Sequence, residues 1–309
     1  EDFGRMLFQL MVPHDFKEAA RQLDRIVLVV DSYTANLPWE LMLADDAERD
    51  GGDGKPLAVR TPVVRQLATS RYRGQVRQGL VRQALVVGNP SVEGFEQRFV
   101  APGAAPLQAP PSLTGAEAEA RAVARVLEGV GYGVEREIGS ERRAIDVMAA
   151  LYRRPYRIVH ISAHGVFNLR HCDGRPRSGV VLSDGLLITA AEIDAMPSVP
   201  ELVFLNCCHL GQIAVGRDGN KLAASLAREL IDIGVRCVVA AGWAVNDANA
   251  SLFGRTFYEA LLLQRLPFGE AVFRARRAVW EQDPSDITWG AFQAYGDAGW
   301  RAEARIDGA

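Results

Sequence analysis

Two stretches, YRIVHISAHG (Tyr156–Gly165) and ELVFLNCCHLG (Glu201–Gly211), decide the fold of this chain. Tyr156–Ser162 and Glu201–Asn206 are short runs rich in Val, Ile and Leu, the length and composition of a strand buried on both faces. Working outward, Arg25–Val30, Gln83–Gly88 and Val235–Ala241 read the same way. Helical patterns lie between and beyond them. Gly115–Gly129 carries Ala116, Ala120, Val123 and Leu127 as one apolar stripe, and further helices are expected over Arg142–Tyr152, Leu222–Ile233, Ala248–Leu263 and Gly269–Gln282. Strands alternating with helices predict an α/β fold: a mostly parallel central sheet flanked by helices on both faces. In such sheets ligands gather beyond the carboxyl ends of the strands. Both quoted stretches end there in polar residues.

Those residues are a histidine and a pair of cysteines. If the two strands are neighbours, His164 and a cysteine share one sheet edge, as nucleophilic catalysis by a thiol requires. An imidazole beside the sulfur favours the thiolate and later protonates the leaving amine. Side chains alternate along a strand, so Cys207 and Cys208 point to opposite sides, one into packing and the other toward a cleft. His160 lies inside the apolar run and reads as a core histidine. Gly165 after His164 would let the backbone turn there. His209 is a poor partner for the cysteine it follows, although it stays an alternative base. Read alone, HG and CC are also compatible with ordinary strand ends of an inactive α/β fold.

Composition narrows the classes. The 309 residues are 48% hydrophobic and 24% charged, enough for one large domain or two modest ones. With 35 basic against 38 acidic residues no overall field points to nucleic acid or a membrane surface. No apolar run of membrane-spanning length occurs, and no basic-then-apolar leader. The chain starts at Glu1 and is read as a piece of a longer protein. Its four cysteines, Cys172, Cys207, Cys208 and Cys237, show neither a disulfide framework nor zinc-pair spacing. Reduced thiols and a cytoplasmic setting are therefore expected, with no metal and no cofactor. The acidic, glycine-rich Asp45–Lys55 lacks the spaced ligands of a calcium loop and is expected to be a solvated loop. Ser91–Ser112, rich in Pro and Ala, is expected to be a long surface connection. No phosphate-cradling glycine motif follows any expected strand, which speaks against a nucleotide-binding domain.

SAHG followed by NCCHLG resembles the His and Cys motifs of caspase-like peptidases, a group that includes metacaspases and separases. The Cys follows the His by about 44 positions, close to the spacing of roughly 50 in caspases. LPWELM (Leu37–Met42), LVVGNP (Leu85–Pro90), GWAVND (Gly242–Asp247), FGEAVFRAR (Phe268–Arg276) and WGAFQAYGD (Trp289–Asp297) narrow the resemblance to the CHAT domain, over nearly the whole chain. The resemblance implies a caspase-like core over residues 81–309, with residues 1–80 a smaller N-terminal part packed on it. It implies Cys208 as nucleophile, His164 as base, and the backbone N–H groups of Gly165 and Cys208 as the oxyanion hole, in a dyad without a third group. It implies a bacterial cysteine endopeptidase that cleaves protein substrates under a sensor domain or subunit, in signalling or antiphage defence. No membrane and no direct nucleic-acid partner are expected. Some relatives keep the fold without activity, so a silent binding or assembly module is the alternative.

For the substrate pocket the resemblance points to Asn206, Asp247 and Trp243. Asn206 stands two residues before the nucleophile, where an acid would favour Arg or Lys at the cleavage position. Asp247 matches a pocket acid, or is the N-cap of the helix that follows. Trp243 lines the pocket wall or packs in the core; Trp39 is expected to be structural.

Overall fold

A computed structural model describes residues 2–17, 23–44, 54–100, 107–209 and 219–302, with backbone alone for Val100, Cys208 and His209. Asp45 to Asp53, most of the acidic loop, lies outside the described residues, as does the 101–106 part of the Pro/Ala-rich stretch. The strands are β1 (Ile26–Val30), β2 (Val63–Leu67), β3 (Gln83–Gly88), β4 (Phe99–Val100), β5 (Gly133–Ile138), β6 (Ile158–His171), β7 (Pro176–Val181), β8 (Leu187–Ile188), β9 (Leu202–His209), β10 (Cys237–Ala241) and β11 (Phe292–Gly296). The longer helices are α1 (Asp2–Met11), α2 (Thr114–Gly129), α3 (Ala144–Arg153), α4 (Gly219–Asp232), α5 (Asp247–Tyr258) and α6 (Phe268–Gln282).

The strands form one sheet in the order β1-β2-β11-β10-β9-β6-β3-β5. Along this order pairing is parallel except between β10 and β11, so β1, β2 and β11 run against the other five, while β4, β7 and β8 join off this path in antiparallel pairs. The first 80 residues supply α1, β1 and β2, and β2 joins the sheet where Arg65 pairs with Tyr295.

Both faces are covered over the central strands, as near-continuous apolar runs require. The edge strand β1 differs from the expected run, with Val27 and Val29 exposed and one face only packed. One core packs α3 and α4 on Val159, Ile161, Val203 and Leu205. The opposite core packs α2, α5 and α6 on Ala84, Val86, Ile158, Phe204 and Val239. The stripe expected on α2 is buried at Ala116, Ala120, Val123 and Leu127. Close approach of α2 to the sheet is possible because residue 88 is glycine: a Cβ there would stand 2.3 Å from that of Ala120.

β6 departs from expectation. The strand does not end at Ser162 but continues to His171 and turns back into β7, which pairs with it as an antiparallel hairpin. Gly165 therefore does not turn the chain. It is required because a Cβ would meet Leu222 at 2.7 Å and the Cβ of Cys207 at 3.3 Å. The Pro/Ala-rich stretch is also more than a surface connection. Its Phe95, Phe99 and Leu107 are buried against Val166, Leu169, Val181 and Leu187 of the hairpin region, and β4 pairs with β6.

Candidate active site

β6 and β9 are adjacent and parallel, in the register His160↔Phe204, Ser162↔Asn206, Ala163↔Cys207 and His164↔Cys208. Partners at one height in a parallel pair share a face of the sheet. Cys207 faces the α3–α4 core, where it is 4% exposed among Ala163, Leu205 and Leu222. Its Sγ lies 3.9 Å from the Ile161 carbonyl. That leaves position 208 as the Cα partner of His164, with the Cys208 side chain outside the described atoms.

His164 is buried, and its Nε2 is 2.7 Å from the carbonyl oxygen of Pro111. A carbonyl can only accept, so Nε2 carries the hydrogen and donates it, and Nδ1 is the basic nitrogen. Burial lowers the proton affinity of the ring, and the Pro111 carbonyl offsets part of this. In its neutral form the ring therefore presents an acceptor at Nδ1.

The Pro111 carbonyl is itself held. Asn89, in the left-handed region at φ 51°, accepts from the backbone N–H of Leu113 through Oδ1 (2.8 Å) and donates through Nδ2 to Ser112 Oγ (2.9 Å). The asparagine of LVVGNP therefore fixes the segment that orients His164. A two-membered arrangement is expected from the resemblance; the structure adds a backbone carbonyl hydrogen-bonded to the histidine. No residue type announces a carbonyl, which is why the sequence did not show it.

Below the histidine, Asn206 and Ser162 both donate to the buried carboxyl of Glu119, at 2.6 and 3.0 Å. Sequence reasoning missed Glu119, which stands in the apolar stripe of α2. Asn206 is 6% exposed. Asp247 is exposed at the first turn of α5 and does not cap it: Asn246 does, its Oδ1 accepting from the N–H groups of Ala248 and Asn249. Asp247 instead lies against the start of α2, where a Cβ on Gly115 would meet its carboxyl at 2.0 Å. Its charge reaches Glu119. Trp243 is half-buried with its ring edge over Gly290. Trp39 is structural, as expected: it is buried and donates from Nε1 to the Thr34 carbonyl. His160 is fully buried, stacked on Phe204 at 4.8 Å, and its proton affinity is pushed down to about 3 by burial. It is a core residue and stays neutral. Among the described residues no cluster of metal ligands occurs, and no helix is long and apolar enough to cross a membrane.

Three of the five outlying motifs meet in a second buried network. Arg65 pairs with Glu40 of LPWELM and Tyr295 of WGAFQAYGD, and Arg276 of FGEAVFRAR reaches the same Glu40, all four side chains shielded from solvent. Tyr295 donates to Gln293 Oε1, and Gln293 donates to Asn220 Oδ1 at 2.7 Å. The network thus ends in the first turn of α4.

A family profile described as the CHAT domain matches residues 1–297. Among curated proteins none matches by sequence. In structure the chain is similar to the Arg-specific cysteine proteinase gingipain R, at a TM-score of 0.56 and 13% identity over 96% of this chain and 68% of that one. It is similar also to the complex of the pro- and mature domains of Porphyromonas gingivalis RgpB, with a TM-score of 0.56 and 14% identity, over 94% and 68% of the two chains. The Saccharomyces cerevisiae separase–securin complex aligns with a TM-score of 0.46 and 13% identity over 87% of this chain and 15% of that chain. The two gingipain structures establish the fold as caspase-like.

Proposed function

The chain belongs to the CHAT domain family, and from that premise we propose that it is a cysteine endopeptidase with Cys208 as nucleophile and His164 as base. One observation carries the reading: the two residues are Cα partners on neighbouring parallel strands, beside an imidazole whose Nε2 is committed to a carbonyl. His164 Nδ1 takes the thiol proton, and the thiolate attacks the carbonyl carbon of the scissile amide. The backbone N–H groups of Gly165 and Cys208 receive the developing oxyanion, each such donor being worth about 10²–10³ in rate. The imidazolium then protonates the departing amine, leaving a thioester. Water, deprotonated by the same Nδ1, hydrolyses that thioester and frees the thiol.

Asn206, Asp247 and Trp243 form the substrate pocket in this reading. A basic side chain at the cleavage position is the preference that fits an exposed carboxylate at its rim. The fold neighbour gingipain R is Arg-specific, which supports the same choice. Control by a sensor domain or subunit, a bacterial setting, cytoplasmic location and a role in antiphage defence complete the proposal, on the strength of family membership. Digestion of a proteome-derived peptide library, read by mass spectrometry, tests it. We expect new termini that follow Arg or Lys, an enrichment weakened at least fivefold in Asp247→Asn. Cleavage without basic enrichment removes the pocket assignment, and no cleavage at all favours the silent binding module.

A further inference from the structure

Glu119 reaches from α2 into the sheet and is 1% exposed. Its Oε2 accepts from Ser162 Oγ on β6 and Asn206 Nδ2 on β9. Ser162 and Asn206 are themselves Cα partners, two residues before His164 and Cys208 on their respective strands. One carboxyl oxygen therefore ties together the two strands that carry the reacting groups, at the height immediately beneath them.

The second oxygen is left in an unusual position. Oε1 is buried and has no hydrogen-bond partner among the described residues, and the same holds for Nε2 of His160, which stands 3.5 Å away. The other ring nitrogen of His160 is 3.3 Å from the Tyr258 hydroxyl. Two buried orphan atoms at this separation are both provided for by one proton on Oε1, donated toward His160 Nε2. The surrounding titratable groups agree. They are His160 from β6, and Asp247 and Tyr258 from α5, and no arginine or lysine is hydrogen-bonded to Glu119 among the described residues. Burial, with Asp247 adding to it, raises the carboxyl from its ordinary 4.5 to about 7, against the pull of Asn206 and Ser162.

We infer that Glu119 is a positioning residue of the peptidase site: it clamps Ser162 to Asn206 beneath His164 and Cys208, and holds the clamp as a neutral acid facing His160. The inference rests on the Cys–His reading above. Ionisation strengthens the two accepted hydrogen bonds but strands an unpaired charge on Oε1, in the interior and near Asp247. Water entry between α2 and the sheet relieves that charge and loosens the strand pair. The folded-state affinity lies above the unfolded one, so the contribution of Glu119 to stability is full below about 4.5 and is lost as pH rises through about 7. Glutamine mimics the neutral acid, accepting from both strands and donating toward His160 at every pH.

The test is the rate of iodoacetamide alkylation at Cys208, read by peptide mass spectrometry on the full chain. Wild type, Glu119→Gln and Glu119→Ala are compared at pH 6 and pH 8.5. Glu119→Gln is expected to react within about twofold of wild type at pH 6 and at least threefold faster at pH 8.5. Glu119→Ala is expected to be at least tenfold slower at both. A ratio of Gln variant to wild type that stays flat between the two pH values overturns the inference, whether or not the Ala variant folds. An Ala variant that keeps the wild-type circular dichroism spectrum and alkylates as fast as wild type also overturns it. Peptide cleavage by wild type is read alongside: the expected alkylation pattern without cleavage removes the peptidase reading alone, and cleavage with a flat ratio removes the role of Glu119 alone.

Discussion

Cys208→Ala is expected to lower proteolysis by roughly 10⁴-fold or more, with the circular dichroism spectrum and the urea midpoint unchanged. The size follows from the chemistry: without the sulfur no thioester forms, and the oxyanion donors and pocket are left to act on water alone. Cys207→Ala, one residue away, is expected to stay within about threefold of wild-type activity. Its thiol is directed into the α3–α4 core and touches the Ile161 carbonyl, so its loss is a matter of packing, on the order of 1 kcal/mol. The contrast between neighbours is the informative part. Strand alternation separates the two cysteines, and only position 208 is level with His164. Initial rates on a peptide cut by the wild type, with denaturant titrations of all three proteins, measure both halves. Loss of activity in the Cys207 variant alone would shift the assignment by one residue.

The second large effect lies far from the thiol. Arg65→Ala is expected to destabilise the fold by about 3–5 kcal/mol, a large share of the roughly 5–15 kcal/mol that holds a domain together. All five donors of Arg65 are used. Nε and Nη2 grip the two oxygens of Glu40, Nη1 donates to the Ala35 carbonyl at 2.7 Å and Tyr295 Oη at 3.1 Å, and Nη2 also donates to the Leu37 carbonyl at 2.9 Å. The site holds two guanidiniums and one carboxylate, and burial pushes Arg276 down to about 10, still protonated at neutral pH. Removing Arg65 leaves two carbonyls and a hydroxyl without their donor in a space closed to water, while Glu40 keeps only the longer contact to Arg276. Arg65→Lys is expected to recover less than half of the loss, since a point charge cannot serve a planar fork. Urea unfolding at constant m value decides it. An unchanged midpoint in Arg65→Ala would show that the network is not cooperative with the sheet.

That network also shows where sequence reading stops. The strand Val63–Leu67 escaped notice because a charged residue sits at its centre, and only the partners Glu40 and Tyr295, distant in sequence, make a buried arginine acceptable. Gly133–Ile138 escaped because it is a sheet edge with alternating charge, and Pro176–Val181 because it opens on proline and arginine in a hairpin. The runs buried on both faces were legible, together with the helices packed on them, since an apolar stripe of fixed period arises where one helix face is buried and seldom elsewhere. At the site, two apolar runs ending in polar residues point to a histidine and a cysteine at one sheet edge, and the choice of Cys208 over Cys207 rests on the family resemblance. The Pro111 carbonyl has no such signal, being a backbone atom. Glu119 has none either, because a single acid in an apolar stripe gains meaning only from Asn206 and Ser162 on the other side of it. Of the two readings of Asp247, pocket acid or N-cap of α5, the second does not hold, since the cap is Asn246.

The most direct measurement is site-mapped labelling with a peptidyl acyloxymethyl ketone, which needs a thiolate and an adjacent imidazole to react at speed. The account predicts a single adduct at Cys208 in the wild type, with a rate that falls at least a hundredfold in His164→Ala. An adduct on Cys207 or Cys172 instead, or a rate at Cys208 indifferent to the loss of His164, would contradict it.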